Sequence, residues 1–128
     1  MKTMKRAGAV TDIVKIDAPA SAAPGETIVI YVWVKNLAAD EKYIAVTGVY
    51  DSSPISWLND YLSVPPGETA VFRSYGFAMP NKKIRVTAYS FWWDGAQWVY
   101  DDTAFVDIAL VTLTPEFANF GIGEYDKA

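Results

Sequence analysis

At 128 residues the chain fits one domain, and 52% hydrophobic content with 15% aromatics excludes a disordered polypeptide. Eleven basic against fifteen acidic residues leave a net charge of −4, which does not favour a phosphate backbone, so no nucleic-acid partner is expected. Histidine and cysteine are both absent, which excludes a zinc enzyme, a Ser-His-Asp hydrolase, a Cys-His protease and any disulfide framework.

The chain opens on Met1-Lys2-Thr3-Met4-Lys5-Arg6, but Ala7 to Val10 is too short for the apolar core of a signal peptide. No stretch is long enough to cross a membrane, so neither membrane insertion nor an export signal of this kind is expected. Residues 1–9 read as a flexible lead-in, 10–111 as a β-sandwich and 112–128 as a tail or an additional strand.

Runs rich in Val, Ile, Thr and aromatics recur between turn signals, with no helical run of comparable strength. The first is Val10 to Asp17. The second, Glu26 to Asn36, alternates Ile28, Ile30, Val32 and Val34 with Val29, Tyr31, Trp33 and Lys35, one face for a core and one mixed. Tyr43 to Tyr50 follows. Ile55 to Leu58 and Tyr61 to Val64 read as one edge strand broken at Asn59-Asp60. Then come Glu68 to Met79, Lys83 to Trp93 and Gln97 to Leu110. About seven antiparallel strands at this spacing predict an all-β, immunoglobulin-like sandwich.

The turns are more specific than the strands. Pro24-Gly25-Glu26-Thr27 and Pro66-Gly67-Glu68-Thr69 are identical tetrapeptides, each opening a long strand. Proline followed by glycine fits a type II turn, whose third residue needs φ > 0. Both turns are expected at the same end of the sandwich. Asp94-Gly95, between Trp93 and Trp98, reads as the tip of a tight hairpin.

The order of these pieces resembles the CARDB-type and related immunoglobulin-like (fibronectin III-like) modules. Its carriers are a Pro-Gly-Glu turn into a strand ending Val34-Lys35-Asn36 and a second such turn into Phe77-Ala78-Met79-Pro80. Arg85-Val86-Thr87-Ala88-Tyr89 and an aromatic hairpin ending Trp98-Val99-Tyr100-Asp101-Asp102 follow. The likeness covers roughly residues 10–111. It implies a non-catalytic module for adhesion, spacing or assembly, in a virion or at a cell surface, with a protein partner or self-association and no cofactor.

Regular alternation from Lys83 puts Ile84, Val86, Ala88, Ser90 and Trp92 on a core face and Arg85, Thr87, Tyr89, Phe91 and Trp93 outward. Trp98 and Tyr100 join either face, depending on register. Tyr89, Phe91, Trp93 and Trp98 are therefore the candidate binding surface. Cross-strand ring pairs that stiffen a hairpin would also account for them. As a binding surface a protein is favoured over a carbohydrate, because only Asp94 and Gln97 lie near to serve sugar hydroxyls.

Trp57 is either an exposed anchor at a subunit contact or a cap on one open end of the sandwich. The tail, with Phe117, Phe120 and Tyr125, is either a strand that pairs with a neighbour or a plain terminus. Asp101 and Asp102, adjacent on a strand, are expected to point to opposite faces and so not to share a metal ion. No catalytic residue is assigned: Ser52 and Ser53 lack a base, and Gly121-Ile122-Gly123 is no phosphate loop.

Overall fold

A computed structural model describes residues 7–111. Phe117, Phe120 and Tyr125, and with them the expected tail contacts, lie outside the described residues. Eleven strands follow in chain order: β1 Thr11–Asp17, β2 Ser21–Ala22, β3 Thr27–Ile28, β4 Tyr31–Asn36, β5 Lys42–Tyr50 and β6 Ser53–Pro54, then β7 Leu62–Val64, β8 Thr69–Arg73, β9 Phe77–Ala78, β10 Ile84–Trp93 and β11 Trp98–Leu110. One sheet has the order β1-β4-β8. The larger has the order β2-β11-β10-β5-β6, with β7 also on β5, and β3 and β9 form a two-stranded ribbon.

The two sheets bury their facing sides against each other. Val32, Val34 and Phe72 from the small sheet and Ile44, Val86, Ala88 and Ile108 from the large one have no exposed surface. This follows from the period of two along each strand, which sends alternate side chains to one face. Ile28, Ile30, Val32 and Val34 are the expected core row, and all four are buried.

Two strands expected to be continuous are broken, and they break together. The Ser74 amide donates to the Ile30 carbonyl at 2.9 Å, and the Ile30 amide donates to Ser74 Oγ at 2.8 Å. The serine hydroxyl thus takes the place of a backbone acceptor, and the ladder β4–β8 gives way to the ladder β3–β9. Counting each broken pair as one strand leaves nine, and setting aside the two-residue β2 and β6 leaves the seven of the expected sandwich.

The Pro-Gly turns have the expected backbone, with Gly25 at φ 83° and Gly67 at φ 76°. Their expected location is corrected. They sit at opposite ends of the paired strands: the Gly25 amide donates to Met79 O at 2.8 Å and the Gly67 amide to Asn36 O at 2.9 Å. Each turn opens its own strand, and the two strands run antiparallel, so each start lies beside the other's finish.

One open side of the sandwich is closed by the segment after β6. Ile55 N donates to Gly48 O on β5, while Leu58 N donates to Arg73 O and Tyr75 N to Ser56 O on the β8 side. The expected single edge strand is therefore a crossing between sheets, followed by a return to β5 as β7. Asn36 fixes that return. Its buried Nδ2 donates to Val64 O and Asp40 O, both at 2.9 Å, and its Oδ1 accepts from Ala38 N at 2.8 Å.

Candidate functional site

The site begins with the register of the longest hairpin. Along β10 and β11, Ser90 pairs with Asp102 but Phe91 pairs with Tyr100 and Trp93 with Trp98. Asp101 is therefore an extra residue, a β-bulge. Strict alternation from buried Asp102 would have turned Tyr100 and Trp98 inward. The bulge sends both outward, onto the face of Tyr89, Phe91 and Trp93.

The bulge also re-aims two carboxylates. Asp101 accepts from Ala9 N at 2.9 Å, Val10 N at 3.0 Å, Thr11 N at 2.6 Å and Thr11 Oγ1 at 2.7 Å. Asp102 accepts from Ile13 N at 2.8 Å. The expectation that these neighbours point to opposite faces is thus corrected: both reach β1, and they tie the start of the small sheet to the large one. Burial alone would raise the Asp101 carboxyl, but the bonds from Thr11, Val10 and Ala9 outweigh it and hold it below its ordinary range. Bonding along the described chain starts at Gly8 and Ala9, ahead of the first expected strand.

Beside β10, strand β5 presents small residues outward. Phe91 pairs with Ala45 and Tyr89 with Thr47. Tyr61, carried by the approach to β7, rises at the edge and meets the Tyr43 ring at 5.4 Å and the Trp98 ring at 6.0 Å. Bulky walls over a floor of alanine and threonine make a groove. Its two hollows share Tyr61 and Trp98: one is lined by Tyr43, Tyr61, Trp93 and Trp98, the other by Ala45, Thr47, Asp60, Tyr61, Phe91 and Trp98. Trp98 is 40% exposed, and Tyr43 and Tyr61 are 50% and 53% exposed. The hairpin tip beyond them is held by Asp94, whose Oδ1 accepts the Ala96 and Gln97 amides at 2.8 and 2.9 Å.

Outside the groove, rings on both outer faces of the sandwich lie under cations. On the small sheet, the Lys15 ammonium lies 5.4 Å from the Trp33 ring and the Arg73 guanidinium 5.9 Å from Tyr31. On the large sheet, Arg85 covers Phe105 at 3.9 Å and is held by Asp107 at 2.8 Å. Among the described residues no cation lies over a ring that lines the groove; those rings meet one another.

Of the residues singled out in the sequence, Phe91, Trp93 and Trp98 line the groove and Tyr89 extends the same face beside Tyr100, at 6.1 Å. Trp57 lies apart, half-buried against the core, with its indole N–H enclosed and without an acceptor among the described residues. Sequence reasoning missed Tyr43, Thr47, Asp60 and Tyr61. The alternation of Tyr43, Ala45 and Thr47 with Ile44 and Val46 was a usable signal for β5. Nothing local marks Tyr61, which precedes a strand that pairs with β5 and accepts a bond from Asn36 at Val64 O.

No family model matches the sequence, and no curated protein matches it. Solved structures do. The CARDB domain of a Pyrococcus furiosus protein, in complex with di-metal ions, matches with a TM-score of 0.60 at 17% identity, over 84% of this chain and 95% of that one. The fold is CARDB-like and immunoglobulin-like. Native alpha-2-macroglobulin from Escherichia coli, in a structure running from domain MG7 to the C-terminus, matches with a TM-score of 0.61 at 15% identity. That likeness covers 79% of this chain and 16% of the longer one, so this CARDB-like sandwich corresponds to a small part of it. At such identities the likeness carries the fold, and chemistry has to come from the residues. Among the described residues no helix is long and apolar enough to cross a membrane.

Proposed function

We propose that the chain is a non-catalytic contact module, serving assembly of a virion or a cell surface, and that the ring-lined groove seats a protein partner. The observation that carries this is the contrast between the groove and ring sites elsewhere on the surface. Tyr31, Trp33 and Phe105 lie under the protein's own cations, whereas Tyr43, Tyr61 and Trp98 are exposed and meet other rings instead. Exposed aromatic anchors around a hollow are the usual core of a protein contact. The setting rests on the likeness to CARDB-type modules.

The Pyrococcus furiosus domain was solved with metal ions. Here, among the described residues, no three of His, Cys, Asp and Glu gather, and Asp101 and Asp102 accept backbone amides of β1. These residues do not fit a metal centre, and the proposed contact uses none. A carbohydrate is the second reading, favoured by Asp60 and Thr47 beside the rings.

A photo-crosslinking phenylalanine analogue at Tyr43, in the cells that make the protein, tests the contact. Crosslinks to protein from Tyr43, and none from a control at Lys35 on the opposite sheet, are expected. Equal yields at both positions would sink the groove as a contact surface.

A further inference from the structure

Resting on that contact reading, we propose that the groove takes an extended, proline-rich peptide segment that carries a basic residue.

Shape is the first reason. Neighbouring rings stand at steep angles: 75° between Tyr43 and Tyr61, 47° between Tyr61 and Trp98, 64° between Trp93 and Trp98. Such walls form notches rather than a flat plate. A sugar stacks its broad face on a flat ring, while a notch between angled rings fits a small puckered one. Proline supplies that shape. In a polyproline II helix about every third residue shares a face, so one strand of peptide enters both hollows in turn.

Polarity points the same way. A pyranose brings several hydroxyls per unit, and each needs a partner once it leaves water. The hollow of Tyr43, Tyr61, Trp93 and Trp98 offers only the polar atoms on the rings themselves, and the second hollow adds Asp60 and Thr47 alone. Proline has no N–H, and a polyproline segment needs only donors to its carbonyls. Tyrosine hydroxyls and the Trp98 indole are such donors. Strand addition is not required, because β6 and β7 already pair with the outer edge of β5.

Charge completes the match. Asp60 lines the second hollow, is exposed, and makes no ion pair among the described residues. The chain as a whole carries −4. A lysine or arginine in the peptide beside Asp60 is therefore favoured and an acidic residue disfavoured.

The test is a tryptophan-fluorescence titration of the full chain with a ten-residue proline-rich peptide bearing one arginine. Comparison peptides replace the prolines by alanine or the arginine by glutamate, and neutral hexasaccharides form a separate arm. Saturable binding of the first peptide is expected, weakened at least about tenfold by Trp98→Ala. Asp60→Asn is expected to cost about threefold and to remove the preference for arginine over glutamate. Tyr31→Ala, on the opposite face, leaves binding unchanged. Both groove substitutions fall on exposed side chains, and thermal melts verify that each variant folds.

No saturable binding, or equal binding of the alanine peptide, overturns the proposal. If that occurs while Tyr43 still crosslinks to protein, the proline preference is wrong and the contact reading stands. Saturable glycan binding lost in Trp98→Ala, with no protein crosslinks, overturns both.

Discussion

Thr11 and Asp101 are joined twice through one oxygen: Asp101 Oδ2 accepts the Thr11 amide at 2.6 Å and the Thr11 hydroxyl at 2.7 Å. The pair fastens the leading strand of the small sheet to the bulge of the large one, across ninety positions of sequence.

That fastening is pH-dependent. The Asp101 carboxyl is held below its ordinary value of 3.8. A carboxylate with a depressed folded pKa stabilises the fold above the unfolded pKa, and the contribution is lost as pH falls through the folded one. Stability of the native chain should therefore fall as pH drops below about 4. Asp101→Asn should flatten part of that fall and lower stability at neutral pH by about 1–3 kcal/mol. Asp51, Asp94 and Asp107 are also held low by their hydrogen bonds, so some slope remains. Thermal melts across the acid range check this; parallel profiles for the two chains would remove Asp101 from the acid response.

Asn36 is buried with its carboxamide fully used by Asp40, Val64 and Ala38. Asn36→Ala leaves those three backbone groups without their partner and should cost about 2–4 kcal/mol. Urea unfolding should show a lower midpoint at an unchanged slope. Because Val64 is released, amides of β7 should also exchange faster. A midpoint shift without that local change would mean that Asn36 does not hold β7 in place.

Gly25 and Gly67 adopt left-handed backbone at opposite ends of one pair of strands. Each should lose about 1–2 kcal/mol on substitution by alanine, since the strain comes from φ and not from crowding. Sites that share no partner add, so the double variant should show the sum within about 0.5 kcal/mol. A strongly sub-additive result would place the two turns in one cooperative unit.

Gly48 behaves differently. A Cβ there would stand 3.0 Å from Thr87 O and 3.0 Å from Trp57 Cζ2. Gly48→Ala should cost about 1–3 kcal/mol through overpacking. Trp57→Phe removes one of the two crowded atoms, so the pair should be sub-additive in a double-mutant cycle. Strict additivity would show that the Trp57 ring yields without strain.

What was legible follows from how local each cause is. The period of two set Ile28 to Val34 and Ile84 to Ala88 against the core, and Pro-Gly marked both left-handed turns, because those signals lie within a few residues. The break at Ser74 was not legible, since it depends on Ile30 more than forty positions away. The bulge at Asp101 was hidden for the same reason: it is defined by what Ser90 and Phe91 face. Half of the ring surface, Tyr89 to Trp98, could be read along the hairpin. Tyr61 and Asp60 reach it by a crossing between sheets that no spacing announces.

The extra residue at position 101 separates two features of the hairpin. Removing that one codon would leave Tyr100 still opposite Phe91 and Trp98 still opposite Trp93, in a plain ladder, while the clasp on Thr11 would vanish. The ring pairs of the hairpin tip and the clasp behind it are thus separable: the ladder keeps its partners with or without residue 101, and only the hold between the two sheets depends on it.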